Sequence, residues 1–206
     1  MNSELHLLKQ AVSLARDKSN LPEPAQIVAA LLKLEKDAKK KQINRSFNDL
    51  IGCWNLRFIT GTKKTRKKAG IILGEGKYIP RFISIKITYE GNNPSVSLSD
   101  RQSTDNTGRV INSVQLASIK LSLTGPAKLL DHKSIVAFDF TTMKIVAFGL
   151  KIYDGYIRNG EAREANFDRQ TIKKQAFFNY FYVSENVIAA RGKGGGLAVW
   201  GRDYKK

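Results

Sequence analysis

The chain has 206 residues, 42% of them hydrophobic, and its 35 lysines and arginines outnumber its 18 aspartates and glutamates to give a formal net charge of +17. This length allows one well-buried core, and the charge indicates acidic partners such as nucleic acid or anionic lipid headgroups without indicating a fold. Cys53 is the single cysteine, which excludes a disulfide framework and a zinc site built from thiolates. We therefore expect one main domain with no need for an oxidising compartment.

Neither a transmembrane segment nor a targeting segment is apparent in the sequence. No apolar run approaches the roughly 20 residues that a spanning helix needs. The N-terminus lacks the basic region and apolar stretch of a signal peptide, and it is not the Arg-rich, acid-free stretch of a transit peptide. We expect a mature, soluble chain that is cytoplasmic or peripherally attached to a membrane.

Two amphipathic helices are predicted in the first 45 residues. Apolar residues recur at helical spacing from Leu5 to Ala15, and a second apolar stripe runs from Ile27 to Leu34 after Pro24. From 33 to 45 the residues turn basic, which suits a solvated helix end because cations are favourable near the negative end of the helix dipole.

The stretch from Leu50 to Phe58 predicts a β-strand that opens with Gly-x-Trp. Trp54, Leu56 and Phe58 alternate with Asn55 and Arg57, so we expect the first three on one buried face. Tryptophan at the start of such a strand is large enough to close the end of a small barrel, and the glycine lets the chain turn in without a Cβ clash.

The same half-buried alternation recurs along the chain. Ile83, Ile85 and Ile87 alternate with Ser84 and Lys86, which predicts a strand with one buried and one solvated face. Further strands are predicted at 95–99, 119–124, 177–184, 187–191 and 197–202, and a hairpin is predicted from 135–140 and 145–150 around a turn at 141–143. About eight to eleven short strands without intervening helices favour an up-and-down barrel.

Two polar segments interrupt this pattern. Glycines flank a run with five cations in six residues, which predicts an exposed basic loop. Its cations are Lys63, Lys64, Arg66, Lys67 and Lys68. The polar segment 154–174 predicts a long loop or short helix over one barrel opening, and whether it is a lid stays open.

Catalytic and metal-binding patterns are missing from the sequence. His6 and His132 lie in unrelated contexts, and nothing in the sequence brings Asp139 and Asp154 together as a pair of carboxylates. The glycine-rich run 192–196 lacks P-loop spacing. We expect a protein that is not an enzyme and that uses no metal or cofactor.

A dense aromatic patch raises an alternative function. Basic loops near exposed rings are typical of proteins that bind single-stranded nucleic acid. Alternation predicts Phe177 and Phe181 on one face of a strand and Phe178, Tyr180 and Tyr182 on the other, with no basic residue between them. Core packing is therefore the favoured use, and a basic nucleic-acid-binding barrel remains the alternative.

Taken together, these features resemble the plastid-lipid-associated proteins, also called fibrillins, in their cyanobacterial form. The resemblance covers most of the chain and is carried by 5–34, 50–58, 138–140 and, most specifically, 181–192. It implies a lipocalin-like barrel that binds a small hydrophobic molecule and associates peripherally with thylakoid membranes or lipid bodies. It names neither the ligand nor the oligomeric state.

The resulting prediction is a mostly β fold, a lipocalin-like antiparallel up-and-down barrel (46–206) preceded by a helical segment (1–45). Its interior would hold one lipid or isoprenoid, and the basic loop would contact an anionic membrane surface, at about 1 kcal/mol per cation. The resemblance to lipocalin-like barrels implies a late-strand arginine on Trp54; we predict Arg191 for this role, with Arg202 as the alternative. The predicted lining residues are Trp54, Leu56, Phe58, Ile83, Ile85, Ile87, Phe181 and Arg191.

Overall fold

A computed structural model describes residues 2–13, 21–41, 45–61, 76–91, 106–130 and 134–204. The basic loop at 63–68, the strand predicted at 95–99 and His132 lie outside these residues.

Eleven strands and three α-helices make up the regular structure in these ranges. The α-helices are α1 (Asn2–Ser13), α2 (Pro24–Lys41) and α3 (Gly160–Ala165), and there are 3-10 helices at Phe47–Leu50 and Phe167–Arg169. The strands are β1 (Gly52–Ile59), β2 (Lys77–Tyr78), β3 (Ile83–Gly91), β4 (Thr107–Leu116), β5 (Ile119–Leu129), β6 (Ile135–Phe138), β7 (Thr142–Ala147), β8 (Leu150–Tyr156), β9 (Ala176–Val183), β10 (Val187–Gly192) and β11 (Leu197–Arg202). Among the helices in these ranges, none is long and apolar enough to cross a membrane.

The strands form an antiparallel sheet in the order β4-β3-β1-β11-β10-β9-β6-β5-β7-β8, and β4 also pairs with β5. The second pairing closes eight strands into a barrel, while β7 and β8 continue the sheet outside the ring and β2 pairs only with β1. The predicted mostly β barrel with an N-terminal helical segment is therefore confirmed.

The chain divides into two compact units, and the first consists of Met1–Ile43, Trp54–Arg81 and Phe178–Lys206. Its core forms where the apolar stripes of α1 and α2 pack on one face of strands β1 and β9 to β11. Leu8, Ile27 and Leu31 from the helices are fully buried against Val187 and Val199 from the strands. Pro24 begins α2, as its preset φ favours at the first helical position.

The second unit consists of Asn44–Cys53 and Phe82–Phe177. A capping box starts its first 3-10 helix, because the Ser46 side chain accepts from the Asn48 amide while Asp49 accepts from the Ser46 amide. That helix places Phe47 edge-on to Tyr89 of β3, with ring centroids 5.7 Å apart. Gly108 provides the space, since a Cβ there would lie 2.4 Å from the Phe47 ring.

The hairpin predicted from 135–140 and 145–150 is wrong. β6 and β7 do not pair with each other; both pair with β5, β6 at 127–129 and β7 at 119–124. Instead, β7 forms a hairpin with β8, a strand that alternation did not predict, through a turn at Phe148 and Gly149. Of the segment 154–174, the first three residues belong to β8, and α3 and the second 3-10 helix follow.

Candidate functional site

The cation that packs on Trp54 is Arg202. Its guanidinium carbon lies 4.5 Å from the centre of the Trp54 ring, and the two residues are directly paired between β1 and β11. Trp54 is fully buried, so this cation–π contact is made largely away from water. The prediction of Arg191 is therefore wrong, and the alternative, Arg202, is confirmed.

Arg191 instead ties β10 to helix α2. Its Nε donates to Glu35 Oε1 over 2.8 Å, its Nη2 donates to Glu35 Oε2 over 2.5 Å, and its Nη1 donates to the carbonyl of Gly195. These bonds hold the pKa of the Glu35 carboxyl below its usual range and raise the pKa of Arg191. The pair lets a glutamate occupy a buried helix face without an unpaired charge.

A β-bulge in β1 separates Phe58 from the other two residues that were predicted to share its face. Leu56 pairs with Trp200 but Phe58 pairs with Val199, the adjacent residue of β11, so Arg57 is the extra residue. Phe58 therefore joins the cluster beneath α1 and α2, which Trp54 and Leu56 do not. The prediction of one shared face for all three is wrong, because one extra residue reverses the alternation.

A second β-bulge, in β9, decides which face of the sheet each aromatic residue of this strand occupies. Tyr182 pairs with Ala189 and Tyr180 with Ala190, so the residue between them, Phe181, is the extra one. Phe181 belongs to the helix-covered cluster and Tyr182 packs against it. Phe181 therefore packs under the helices instead of beside Trp54 and Leu56, and the prediction that Tyr182 shares a face with Phe178 and Tyr180 is also wrong.

The face of unit 1 away from the helices carries a ring cluster. Trp200 lies edge-on to Phe178 at 5.4 Å between ring centroids and 6.1 Å from Tyr180. Tyr180 has no exposed surface. Large side chains thus fill this part of the face, as the prediction of core packing required.

In unit 2, strands β3, β4, β5, β7 and β8 bring one set of apolar side chains onto one face. Directly paired residues share a face, so the register defines cross-strand rows, which we call the apolar rows. Row 1 is Ile83, Leu116, Ile119, Ala147 and Leu150. Row 2 is Ile85, Val114, Leu121, Ile145 and Tyr153; row 3 is Ile87, Asn112, Leu123, Met143 and Gly155; row 4 is Tyr89, Val110 and Gly125.

Exposure of the apolar rows is lowest in row 4 and highest in row 1. Tyr89 in row 4 is 0% exposed and Ile87 in row 3 is 3% exposed, whereas Leu116 and Ile119 in row 1 are each 49% exposed. The predicted shared face of Ile83, Ile85 and Ile87 is confirmed, and these three residues lie in rows 1, 2 and 3. A mostly apolar surface, interrupted in row 3 by Asn112, therefore leads from a buried core to an exposed end of the sheet.

The other face of this five-stranded sheet is mostly polar. The residues paired behind row 1 are Ser84, Gln115, Lys120, Val146 and Lys151. Behind row 2 lie Lys86, Ser113, Ser122, Lys144 and Asp154. The contrast between the two faces shows that the exposed apolar rows are a property of one face and not of the whole sheet.

Asp139 and Asp154 have separate ion-pair partners and do not form a pair of carboxylates. Arg163 Nε donates to Asp139 Oδ2 over 2.9 Å, and Asp154 lies 3.8 Å from Lys144 Nζ and 3.5 Å from Lys151 Nζ. Across the ranges that the structure describes, no group of three or more histidine, cysteine, aspartate or glutamate residues could hold a metal ion.

Sequence reasoning missed much of the apolar rows because neither β4 nor most of β8 was predicted as a strand. The signal for β8 was present as Phe148-Gly149, a dipeptide with glycine at the second turn position between apolar residues. Phenylalanine in place of the usual asparagine or aspartate concealed that turn.

No family model matches the chain, and no curated protein matches it. Among solved structures, the redesigned β-barrel b11L5F_LGL is similar with a TM-score of 0.36 and 10% identity, over 78% of this chain and 97% of that one. The redesigned β-barrel mFAP1, solved bound to DFHBI, is similar with a TM-score of 0.31 and 8% identity, over 78% of this chain and all of that one. Similarity this low adds nothing to the strand pairing described above.

Proposed function

We propose that this protein binds a small hydrophobic molecule, a lipid or an isoprenoid, on the apolar rows of its barrel, and that it is a binding protein and not an enzyme. The observation that carries the proposal is the gradient of exposure along rows 4 to 1. A soluble sheet normally ends in polar residues, whereas here Leu116, Ile119 and Leu150 leave apolar surface exposed at the end of a buried path.

One polar group in this path suggests how a ligand is oriented. Asn112 is the single side-chain amide in the four rows, between Ile87 and Leu123. An amide can both donate and accept, so it suits a hydroxyl or carbonyl at the end of an otherwise apolar molecule. We expect Asn112→Leu to keep the affinity for a plain hydrocarbon probe and to lose the preference for a hydroxylated one.

Adjacent residues of β5 offer a matched test. Leu121 lies in row 2, and Ser122 points to the opposite face of the same strand. Replacing Leu121 with asparagine should weaken binding of a fluorescent fatty-acid probe about tenfold, because a half-buried leucine contributes roughly 1.5 kcal/mol of apolar contact. Ser122→Asn is the control and should leave the affinity unchanged.

The ligand itself is best sought by mass spectrometry of an organic extract of the purified protein. An isoprenoid or lipid that is present in the wild type and depleted in Leu121→Asn would support the proposal. Equal probe affinity in the two variants would rule out the apolar rows as the binding face.

The resemblance to plastid-lipid-associated proteins extends the proposal to peripheral attachment at a thylakoid membrane or a lipid body. The net charge of +17 supports attraction to an anionic leaflet. The role of the basic loop in this attachment remains a prediction. We expect binding to anionic vesicles to be abolished by changing five cations to glutamate, namely Lys63, Lys64, Arg66, Lys67 and Lys68.

A further inference from the structure

We infer that unit 2 contacts an anionic lipid surface through the exposed end of its sheet, which we call the apolar tip. The apolar tip consists of Phe82, Leu116, Ile119, Phe148 and Leu150. The inference rests on the membrane attachment proposed above and assigns it to a surface within the described residues.

The two hairpin turns of the tip lie side by side. The β4–β5 turn contains Ala117 and Ser118, and the β7–β8 turn contains Phe148 and Gly149. The amide of Phe148 donates to the carbonyl of Ser118 over 3.0 Å, so the two turns are joined. Because this backbone bond fixes the spacing of the turns, Leu116, Ile119 and Leu150 form one surface.

The backbone conformation of Phe148 is energetically unfavourable for a bulky residue. Its φ is 52° and that of Gly149 is 79°, which makes a two-residue turn with both residues in the left-handed region. A bulky residue rarely adopts this conformation, and asparagine would adopt it more easily. The phenylalanine is also 78% exposed, so burial within the chain does not offset the cost. An apolar medium outside the protein would offset it.

The charges near the tip favour a lipid surface over a second copy of the chain. Ile119 is followed directly by Lys120 and Leu150 by Lys151, and both lysines point to the opposite face of the sheet. Residues 113–124 and 142–154 contain Lys120, Lys144, Lys151 and one acid, Asp154, which is a net charge of 3 − 1 = +2. Two such tips would repel each other, whereas lysines behind an inserted apolar edge can reach anionic headgroups.

The discriminating variant is Phe148→Asn, which removes the exposed ring and supplies a residue that suits the turn. We expect its partitioning onto vesicles of phosphatidylcholine mixed with phosphatidylglycerol to fall about tenfold. We expect its melting temperature to be unchanged or higher, so loss of binding could not be ascribed to unfolding. Tyr204→Asn is the control, because Tyr204 is 67% exposed but lies in unit 1, and it should bind like the wild type.

Two further measurements separate insertion from simple attraction. Phe148→Trp should show a blue shift of its fluorescence on adding vesicles that exceeds any shift of the wild type. Changing Lys120 and Lys151 to glutamine should weaken binding to vesicles with phosphatidylglycerol about fivefold per lysine and leave binding to phosphatidylcholine alone unchanged.

The outcomes distinguish this inference from the proposal on which it rests. If the wild type binds vesicles, Phe148→Asn binds them equally well and Phe148→Trp shows no blue shift, the apolar tip is not the contact surface. Peripheral attachment of the protein would still stand. A wild type that binds no vesicles would overturn both, while uptake of the fatty-acid probe without vesicles tests ligand binding separately. If Phe148→Asn instead halved the mass in sedimentation and left vesicle binding intact, the tip would be a contact between two copies, against our inference.

Discussion

Arg191 and Arg202 lie on neighbouring strands, and strand register alone decides which of them packs on Trp54. Arg202 is paired with Trp54 across β1 and β11. Arg191 lies next to α2, where Glu35 is available. A sequence pattern identifies both as late-strand arginines, but only the pairing of strands decides which of them meets the tryptophan.

We expect Arg202→Ala to lower the free energy of unfolding by about 1 kcal/mol, because it removes a cation–π contact from a buried ring. The change should also shift the tryptophan emission spectrum, since Trp54 loses the charge above its ring. Arg191→Ala should destabilise the protein without that spectral shift. Urea unfolding followed by fluorescence checks both, and a spectral shift in Arg191→Ala alone would contradict the assignment.

The Glu35–Arg191 pair predicts a dependence of stability on pH. Arg191 holds the pKa of folded Glu35 below the ordinary value of 4.5. A depressed pKa in the folded state means that the pair stabilises the protein above pH 4.5 and that this contribution is lost as the pH falls through the folded pKa. Glu35→Gln should be less stable than the wild type at neutral pH, and the difference should shrink in acid. A difference that stays constant with pH would show that the carboxylate charge contributes nothing.

At the scale of elements, the arrangement of unit 2 depends on residues 139–141, which separate β6 from β7 so that the two strands pair with different parts of β5. β5 pairs with β6 at one end and with β7 at the other, and Gly125 lies at the crossover. A Cβ on Gly125 would lie 1.9 Å from the Asp139 carbonyl oxygen, and one on Gly160 would lie 2.0 Å from the Thr141 carbonyl oxygen. Both glycines thus permit close packing against the segment between β6 and β7, where Arg163 from α3 also binds Asp139.

We expect Gly125→Ala to cost about 3 kcal/mol of folding free energy, since backbone atoms cannot move aside as a flexible side chain can. Gly155→Ala is the matched control in β8, where an added Cβ would lie 3.6 Å from Tyr153 Oη, an ordinary contact. The control should change the free energy of unfolding by less than about 1 kcal/mol. Equal melting temperatures for the two variants in thermal unfolding would contradict the tight crossover.

At the scale of the whole molecule, a charge of +17 is compatible with nucleic acid as well as with lipid. The two partners differ in what they require of the aromatic residues. Base stacking needs exposed rings, but Tyr180 is fully buried and Tyr182 packs against the cluster beneath α1 and α2. Tyr180 is therefore part of the core of unit 1, and Tyr182 lies at the edge of that core.

We expect replacement of Tyr180 and Tyr182 with leucine to lower the melting temperature and to leave weak, sequence-independent binding of oligonucleotides unchanged. A stacking ring would contribute roughly 1 to 3 kcal/mol per base, so its loss would weaken single-strand binding at least tenfold. Fluorescence anisotropy with a labelled oligonucleotide measures this. Collapse of oligonucleotide affinity at an unchanged melting temperature would favour the nucleic-acid alternative over lipid binding.

Local pattern in the sequence was enough to predict the fold class, the two N-terminal helices and several strands. Apolar spacing from Leu5 to Val12 and from Ile27 to Leu34 depends on residues that are close in the chain, as does the alternation from Ile83 to Ile87. Within the described residues these predictions are confirmed, while Ala15, the predicted end of the first stripe, lies outside them. Gly52 has a φ of 127°, in agreement with the expected need for glycine before Trp54.

Tertiary structure alone decided which residues meet. Bulges at Arg57 and Phe181 reverse the alternation, so Phe58 and Phe181 pack beneath the helices, away from Trp54 and Leu56. Likewise, Arg202 and not Arg191 reaches Trp54, and the apolar rows exist only because five strands align in register. The physical reason is that a strand's local pattern defines two faces, whereas one extra residue or one step of register, set by contacts with distant strands, decides which face is buried.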